Sequence, residues 1–134
     1  IAVIIRKHMA RKTEKCDVYD QWTKSRFFSF IRSALRRSYS RWPPKFEVMK
    51  EARREYKGPG RQKYEYQCAE CKKWFPQKQV QVDHIVPAGS LRDWDDLVEF
   101  TQKLLCGKDG LQVLCKECHA KKTALERKQK KEGK

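Results

Sequence analysis

Two pairs of cysteines, each with two residues between its members, constrain the fold of this chain more than any other feature. The pairs are Cys68 with Cys71 and Cys115 with Cys118, and 43 residues separate one pair from the other. Each CxxC pair places two thiolates on one tight turn, and two such turns that meet in space supply the four sulfur ligands of a tetrahedral structural zinc ion. The sequence therefore predicts one closed Zn²⁺ site that joins two distant segments.

The segment between the pairs contains Asp83 and His84 near the end of the alternating run QVQVDHIV. Its valines alternate with polar residues, which predicts a strand. Neighbouring side chains of a strand face opposite sides, so Asp83 and His84 can reach a common point only where the strand ends or bends. The Pro-Ala-Gly sequence at 87–89 indicates such an end. His119 follows the last cysteine and opens a helical run, so a strand that ends in Asp-His and a helix that begins with Cys-His can direct a carboxylate and two imidazoles at one point.

These motifs resemble the HNH nucleases of the ββα-metal fold, in the subset with a four-Cys zinc site that is common among phage-encoded endonucleases. The resemblance implies that His84 is the general base that removes a proton from the attacking water. It also implies that Asp83 and His119 bind one catalytic Mg²⁺ or Mn²⁺, and that the substrate is double-stranded DNA, cut by nicking or on both strands. The matching segments are CAEC at 68–71, VDHIVPAGSL at 82–91 and DGLQVLCKECHAKKT at 109–123, within a region of about residues 64–123.

One position departs from the family pattern. The Asn that the family usually has just before Leu-Gln is replaced by Gly110, which follows Asp109. We therefore expect either the carboxylate of Asp109 or a backbone carbonyl of the Lys-Asp-Gly turn to orient the imidazole of His84.

Positive charge is concentrated outside the region between the cysteine pairs. The formal net charge is +15, with 18 Lys and Arg against 6 acids in residues 1–63 and 7 against 2 in residues 120–134. Residues 64–119 hold 7 basic residues against 9 acids. A mildly acidic centre suits a cation site, whereas the basic flanks indicate a polyanionic partner.

Apolar residues recur at helical spacing between Phe27 and Trp42, which predicts an amphipathic helix. Its arginines lie largely off the apolar stripe, so we expect them to contact DNA phosphates; simple solvation is the alternative. Lys122, one helical turn beyond Cys118, is a further candidate for a phosphate contact or for a solvated lysine. The arginines predicted to bind DNA are Arg32, Arg36, Arg37 and Arg41.

The proline pair at 43–44 ends this helix and starts a second one, which is expected to run to the Gly-Pro-Gly turn at 58–60. Ser90 with Asp93 is interpreted as a capping box for a third helix that continues to Cys106. This helix is expected to fill much of the insert between the cysteine pairs.

The chain as a whole predicts an α+β fold, with a small ββα-metal core that contains a Cys₄ zinc site and follows a helical basic arm. No run of 18 apolar residues is present, and no secretory signal is recognised, so we expect a cytoplasmic protein with no membrane partner. The expected parts are a leader outside the natural chain at 1–8 with Met9 as the natural start, a DNA-binding arm at 9–57, a nuclease core at 64–123 and a basic tail at 124–134.

Together these expectations predict an enzyme that hydrolyses DNA, with structural Zn²⁺ and catalytic Mg²⁺ or Mn²⁺ as cofactors. A phage-encoded protein of this kind would work in the host cytoplasm beside packaging or other DNA-processing proteins. Two alternatives remain open: a zinc protein that binds DNA without cutting it, and a zinc protein that binds RNA through the same basic arms.

Overall fold

The structure, a computed structural model, describes residues 14–132. The predicted leader at 1–8 and the proposed start at Met9 lie outside these residues. Within the described part the fold is mixed, with helices and two small antiparallel sheets, which confirms the α+β class. None of the described helices has the length and apolar character needed to cross a membrane.

The helices are α1 (Lys24–Tyr39), α2 (Pro43–Ala52), α3 (Leu97–Leu104) and α4 (Lys116–Glu132). The strands are β1 (Arg53–Glu55), β2 (Tyr64–Gln67), β3 (Trp74–Phe75), β4 (Val80–His84) and β5 (Leu111–Cys115). One sheet has the order β1-β2-β3, and the other pairs β4 with β5.

These elements belong to two compact units that do not follow chain order. The first, called here the helical unit, combines the described part of Ile1–Arg41 with Pro87–Leu105. The second, called the cysteine unit, combines Trp42–Val86 with the described part of Cys106–Lys134. All four paired cysteines therefore belong to the cysteine unit, as do Asp83, His84 and His119.

Helix α1 is the main element of the helical unit. It begins after Thr23, whose side-chain oxygen accepts a hydrogen bond from the Arg26 backbone N–H at 3.2 Å, as an N-cap residue does. Most of the predicted apolar stripe packs against a buried core, to which α1 contributes Phe28, a residue outside that stripe, and α3 contributes Phe100 and Leu104. Ala88 and Leu91 complete this core, and the half-buried residues packed against it are Phe27, Ile31, Leu35, Tyr39, Leu97 and Leu105.

The start of the third predicted helix differs from the predicted capping box. Asp93, not Ser90, is the cap: its carboxylate accepts from the Trp94 backbone N–H at 2.7 Å and opens a 3₁₀ turn over Trp94–Asp96. Lys24 donates to the same carboxylate at 2.6 Å. Asp93 thus begins the helix rather than supporting an earlier cap, and α3 ends at Leu104 instead of Cys106.

The second predicted helix is shorter than expected. Helix α2 starts at the proline pair as predicted, but it ends at Ala52 rather than at the Gly-Pro-Gly turn. Arg53–Glu55 forms a strand antiparallel to β2 instead. The guanidinium of Arg53 lies 3.9 Å from the ring centroid of Tyr64, a favourable stacking contact that the strand pairing creates. The turn at 58–60 therefore lies within the connection between two paired strands.

Strands β4 and β5 and helix α4 bring the remaining motifs together. The strands are antiparallel, with Val80 opposite Cys115 and Asp83 opposite Gln112. Helix α4 begins directly after β5 and contacts both strands. The end of β4 therefore lies beside the first turns of α4.

Candidate functional site

The four paired cysteines form one cluster. Their sulfur atoms all lie within 4.8 Å of one another, as the sequence predicted. Sulfur ligands at about 2.3 Å from a tetrahedral Zn²⁺ stand about 3.8 Å apart, so the cluster needs little movement to hold the ion. The donor set, four thiolates and no oxygen, suits structural zinc.

The first cysteine pair lies in a tight turn after β2. Cys68 is fully buried, and its backbone N–H donates to the Lys73 carbonyl at 3.0 Å. Lys72, the residue after Cys71, has φ of +63° and donates its backbone N–H to the Cys68 carbonyl at 3.0 Å. This left-handed residue reverses the chain, and so both sulfurs lie on the same side of the turn.

The second pair lies at the junction of β5 and α4. Cys115 is the last residue of the strand and is buried, whereas Cys118 is the third residue of the helix. The Cys118 backbone N–H donates to the Cys115 sulfur at 3.4 Å. Phe75 and Leu114 pack against this cluster and limit its contact with water.

Opposite pKa shifts within the cluster follow from its hydrogen bonds. Burial raises the pKa of the Cys68 thiol, but backbone hydrogen bonds from Cys115, Cys71 and Glu70 outweigh burial and lower it to about 6. Hydrogen bonding to the Cys115 sulfur, together with burial, raises the pKa of Cys118 to about 12. Because the thiolate is the form that binds a metal, an ion held at Cys118 would displace a proton, whereas Cys68 is readily available as a thiolate near neutral pH.

The Asp83 carboxylate is the centre of a second polar cluster. Its residue is 9% exposed, which is low for an acid. Oxygen Oδ1 lies 3.5 Å from His119 Nε2. Oxygen Oδ2 accepts from Gln112 Nε2 at 3.1 Å and lies 3.1 Å from Lys122 Nζ. The two oxygens therefore face different partners.

The Oδ1 side of this cluster is compatible with a small divalent cation. Neighbouring ligands of an octahedral Mg²⁺ at about 2.1 Å lie about 3 Å apart, close to the distance between Asp83 Oδ1 and His119 Nε2. A carboxylate oxygen is a suitable ligand for Mn²⁺ as well as for Mg²⁺. Asp83 and His119 are the residues that would hold such an ion.

Lys122 neutralises the Asp83 carboxylate from helix α4. Its ammonium donates to the His84 carbonyl at 2.9 Å and to Glu126 Oε2 at 2.7 Å. Burial lowers the pKa of this ammonium, but hydrogen bonds to Glu126 and Asp83 outweigh burial and raise the pKa above its ordinary value. The ammonium therefore points into the polar cluster and fixes the end of β4 to α4. A phosphate contact of Lys122 stays a prediction.

His84 is the last residue of β4 and is half-buried. The period of two in a strand directs its imidazole to the face opposite the Asp83 carboxylate. After His84 the chain bends, and the Ile85 backbone N–H donates to the Gly110 carbonyl at 2.9 Å. The Lys-Asp-Gly turn is thus fixed beside the end of β4, where His84 lies.

The same turn explains why position 110 is a glycine. A Cβ atom on Gly110 would lie 2.8 Å from the Cys106 sulfur, closer than such atoms approach one another, and 3.3 Å from the Cys106 Cβ, which is a tight contact. Cys106 therefore occupies the space that a side chain at position 110 needs. Asp109 is exposed in this turn. Its orienting role for His84 stays a prediction.

The predicted DNA-binding arginines all lie in the helical unit. Arg36 and Arg37 are exposed, and Arg41 lies just beyond the end of α1. The guanidinium of Arg36 lies 5.8 Å from the ring centroid of Phe100, and Arg32 donates to the Ser29 hydroxyl at 3.3 Å. Arg37 and Arg41 thus present their charges to solvent, while Arg32 and Arg36 are partly engaged within the unit.

Sequence reasoning did not identify two members of the polar cluster, Gln112 and Glu126. Gln112 is the one polar residue within β5 apart from its cysteine, and such a residue in an apolar strand signals a polar partner. Glu126 follows Lys122 by four residues, the spacing of a helical ion pair. Both signals were present, but neither indicates that Gln112 and Lys122 share Asp83 as a partner.

No protein-family model, curated protein or solved structure matches this chain. Function is therefore inferred from the residues of the two clusters and from the sequence motifs.

Proposed function

We propose that this protein is a metal-dependent DNA endonuclease with an HNH-type ββα-metal core. The approach of Asp83 Oδ1 to His119 Nε2 supports this proposal most, because it pairs an acid and an imidazole from segments 36 residues apart. The strand, strand, helix order of β4, β5 and α4 supports it as well. In this proposal the zinc held by the four cysteines is structural and takes no part in the chemistry.

The catalytic roles follow from where each group lies. Asp83 and His119 would hold Mg²⁺ or Mn²⁺, which would offset the negative charge that grows on the phosphate under attack and on the leaving 3′ oxygen as the bond between phosphorus and that oxygen breaks. Gln112 and Lys122 hold the other oxygen of Asp83, so the carboxylate keeps its orientation. His84, at the end of the same strand, removes a proton from the water that attacks phosphorus. Because His84 and Asp83 face opposite sides of β4, the phosphate must lie beyond the strand end.

A second candidate function is a zinc protein that binds DNA without cutting it. The surroundings of Gly110 favour this alternative, since the Asn that the family uses at this position would place its Cβ 2.8 Å from the Cys106 sulfur and would force a neighbouring group to shift. The nuclease proposal then requires another group, Asp109 or a carbonyl of its turn, to orient His84.

Cleavage of supercoiled plasmid with and without Mg²⁺ or Mn²⁺ tests the proposal. We expect His84→Ala to reduce the rate by about 10²- to 10⁴-fold, because a general base typically contributes that much. The zinc content and DNA affinity of this variant should equal those of the unmodified protein, since neither requires the imidazole. Gln81→Ala, an exposed position on the same strand, is the control and should cut like the unmodified protein.

Added Mn²⁺ distinguishes the residues proposed to bind the cation from the proposed general base. It should partly restore cleavage in Asp83→Ala and His119→Ala, which weaken cation binding, but not in His84→Ala. If the unmodified protein cuts DNA with neither ion, or if His84→Ala cuts as fast as Gln81→Ala, the binding protein without catalysis becomes the better conclusion.

A further inference from the structure

Helix α1 has a second stripe of side chains, on the face away from its buried stripe. Five of these residues lie in α1 and one lies just before it, and their helical spacing places them on one side of the helix. They border an open groove of about 360 Å³, at the lower end of the range of about 300–1,000 Å³ found for small-ligand sites. The lining residues are Trp22, Arg26, Ser29, Phe30, Ser33 and Arg37.

Aromatic rings form one part of this groove. The Trp22 ring meets the Phe30 ring edge to face, with centroids 5.3 Å apart, and meets Tyr19 in the same way at 5.9 Å. Phe30 is 54% exposed and, among the described residues, lies outside the buried cluster that packs α1 against α3. The fold of this unit therefore leaves one face of a large apolar ring in contact with water.

Positive charge and hydroxyl groups form the other part. Arg26 lies 4.2 Å from the Trp22 ring centroid, and Arg37 borders the opposite end of the groove. The sequence of α1 contains no acid, so neither guanidinium has an acidic partner one turn away on the helix. Ser29 and Ser33 add hydrogen-bond donors between the two arginines. The groove is therefore suited to an anion that also carries a flat apolar surface.

We propose that this groove binds an unpaired nucleic-acid strand, with a base stacked on Phe30 and adjoining phosphates held by Arg26 and Arg37. Proteins that bind single strands combine such cationic grooves with aromatic rings, because every base has a flat face that stacks. A duplex keeps its bases stacked on one another and offers mainly phosphates, which would leave the ring of Phe30 without a partner. This inference rests on the proposed function only in taking nucleic acid as the polyanion. It adds that an unpaired strand is part of the substrate.

Fluorescence anisotropy with labelled oligonucleotides tests the inference in the intact zinc protein, without added Mg²⁺ or Mn²⁺ so that no cleavage occurs. Oligothymidylate and oligouridylate serve as single strands, and a duplex of equal length serves for comparison. Phe30→Ala should weaken single-strand binding by about 5- to 150-fold, since one base stack contributes about 1–3 kcal/mol. Duplex binding should change by less than about twofold. Weaker binding of either single strand supports the inference and shows whether DNA or RNA fits.

The matched control is Phe46→Ala, because Phe46 is 56% exposed and lies in the cysteine unit. Phe30→Trp should retain single-strand binding, because its larger ring still stacks. Arg26→Gln should lower the slope of log affinity against log salt by about 0.7 for the single strand. Equal single-strand binding by Phe30→Ala and Phe46→Ala would overturn the inference. Equal weakening of duplex and single strand by Phe30→Ala would overturn it as well.

These outcomes are independent of the nuclease test. A protein that never cuts plasmid but loses single-strand binding in Phe30→Ala would refute the proposed function and retain the groove. If the protein cuts DNA and Phe30→Ala binds single strands and duplex as well as the unmodified protein does, the proposed function stands and the groove inference is refuted.

Discussion

At the scale of single residues, the two oxygens of Asp83 have different partners. Oδ2 is held by an ammonium and an amide, and Oδ1 faces an imidazole. A nearly buried carboxylate needs such partners, because an unpaired charge in this environment is costly. The polar cluster therefore contributes to folding as well as to the proposed chemistry.

Replacing Lys122 tests this contribution to folding. Lys122→Met should reduce the free energy of unfolding by about 1–3 kcal/mol, because it removes the cation beside a buried acid. Lys121→Met is the control, since that lysine pairs with Glu117 on the surface and should matter by less than about 0.5 kcal/mol. Urea unfolding of both zinc-loaded variants measures the difference. Identical unfolding midpoints would show that Lys122 does not stabilise Asp83.

Position 110 offers a second prediction at this scale. Gly110→Asn should lower the free energy of unfolding by about 1–3 kcal/mol, because the new Cβ meets the Cys106 sulfur. Gly107→Asn, where a Cβ meets no atom within 4 Å, should change it little. Adding Cys106→Ala to Gly110→Asn should restore most of the stability. Thermal unfolding measures all three, and a stable Gly110→Asn variant would mean that the turn yields easily.

At the scale of elements, the two cysteine pairs lie on different sheets. Cys68 follows a strand of the three-stranded sheet, whereas Cys115 ends a strand of the two-stranded sheet. One ion bound by both pairs would fix the two sheets to each other and to the start of α4. The polar cluster around Asp83 depends on that junction, because His119 is the residue after the last cysteine.

Loss of one zinc ligand should therefore unfold the cysteine unit. We expect the Cys115→Ser protein to contain no bound zinc and to show a weaker far-ultraviolet circular dichroism signal, because this unit no longer folds. Metal binding at comparable sites contributes about 10 kcal/mol or more to folding. Cys106→Ser is the control and should retain about one zinc per chain, because Cys106 lies outside the four-sulfur cluster. Metal analysis of both purified proteins decides the point. Zinc-free, folded Cys115→Ser protein would contradict it.

The sequence predicted these elements to different degrees. The cysteine spacing predicted the four-sulfur cluster, and the valine alternation predicted β4, because both depend on local geometry. The end of α2 was missed, since Arg53–Glu55 gains its strand partners and ring contacts only from residues about ten or more positions later. The packing of Pro87–Leu105 with α1 was also missed, because apolar faces do not specify which face they meet.

Dependence on tertiary packing also limited what the sequence predicted about the candidate site. The motifs pointed to Asp83 and His119, but the side chains that hold Asp83 from β5 and α4 depend on strand register and helix orientation. Register follows from tertiary packing, which single-residue patterns do not contain.

At the scale of the whole molecule, the arginines predicted to bind DNA and the proposed cation site belong to different units. The predicted arginines of α1 lie in the helical unit, while the cysteine unit contains the acid proposed to bind a cation. Charges on an arm and a cation site on a core can contribute separately to affinity and to cleavage.

The salt dependence of duplex binding distinguishes phosphate contacts made by the arginines of α1 from a general effect of net charge. Changing Arg32, Arg36 and Arg37 to Ala together should lower the slope of log duplex affinity against log salt by roughly 0.9 for each phosphate that the variant no longer binds. The charge-matched control changes three exposed lysines of the cysteine unit, Lys50, Lys73 and Lys78, to Ala. If both triple variants flatten the slope equally, general charge and not α1 determines binding.

The segment Pro87–Leu105 lies outside the cysteine unit, between two segments that belong to it. The length of the chain can therefore vary at this point. The chain leaves the cysteine unit just after β4 and returns just before β5, and those two strands are paired along their length. The entropic cost of closing a flexible loop rises only by about 0.6 kcal/mol for each doubling of its length. Homologous chains could therefore carry inserts of very different size at this point, and each would still place the carboxylate at the end of β4 beside the imidazole at the start of α4.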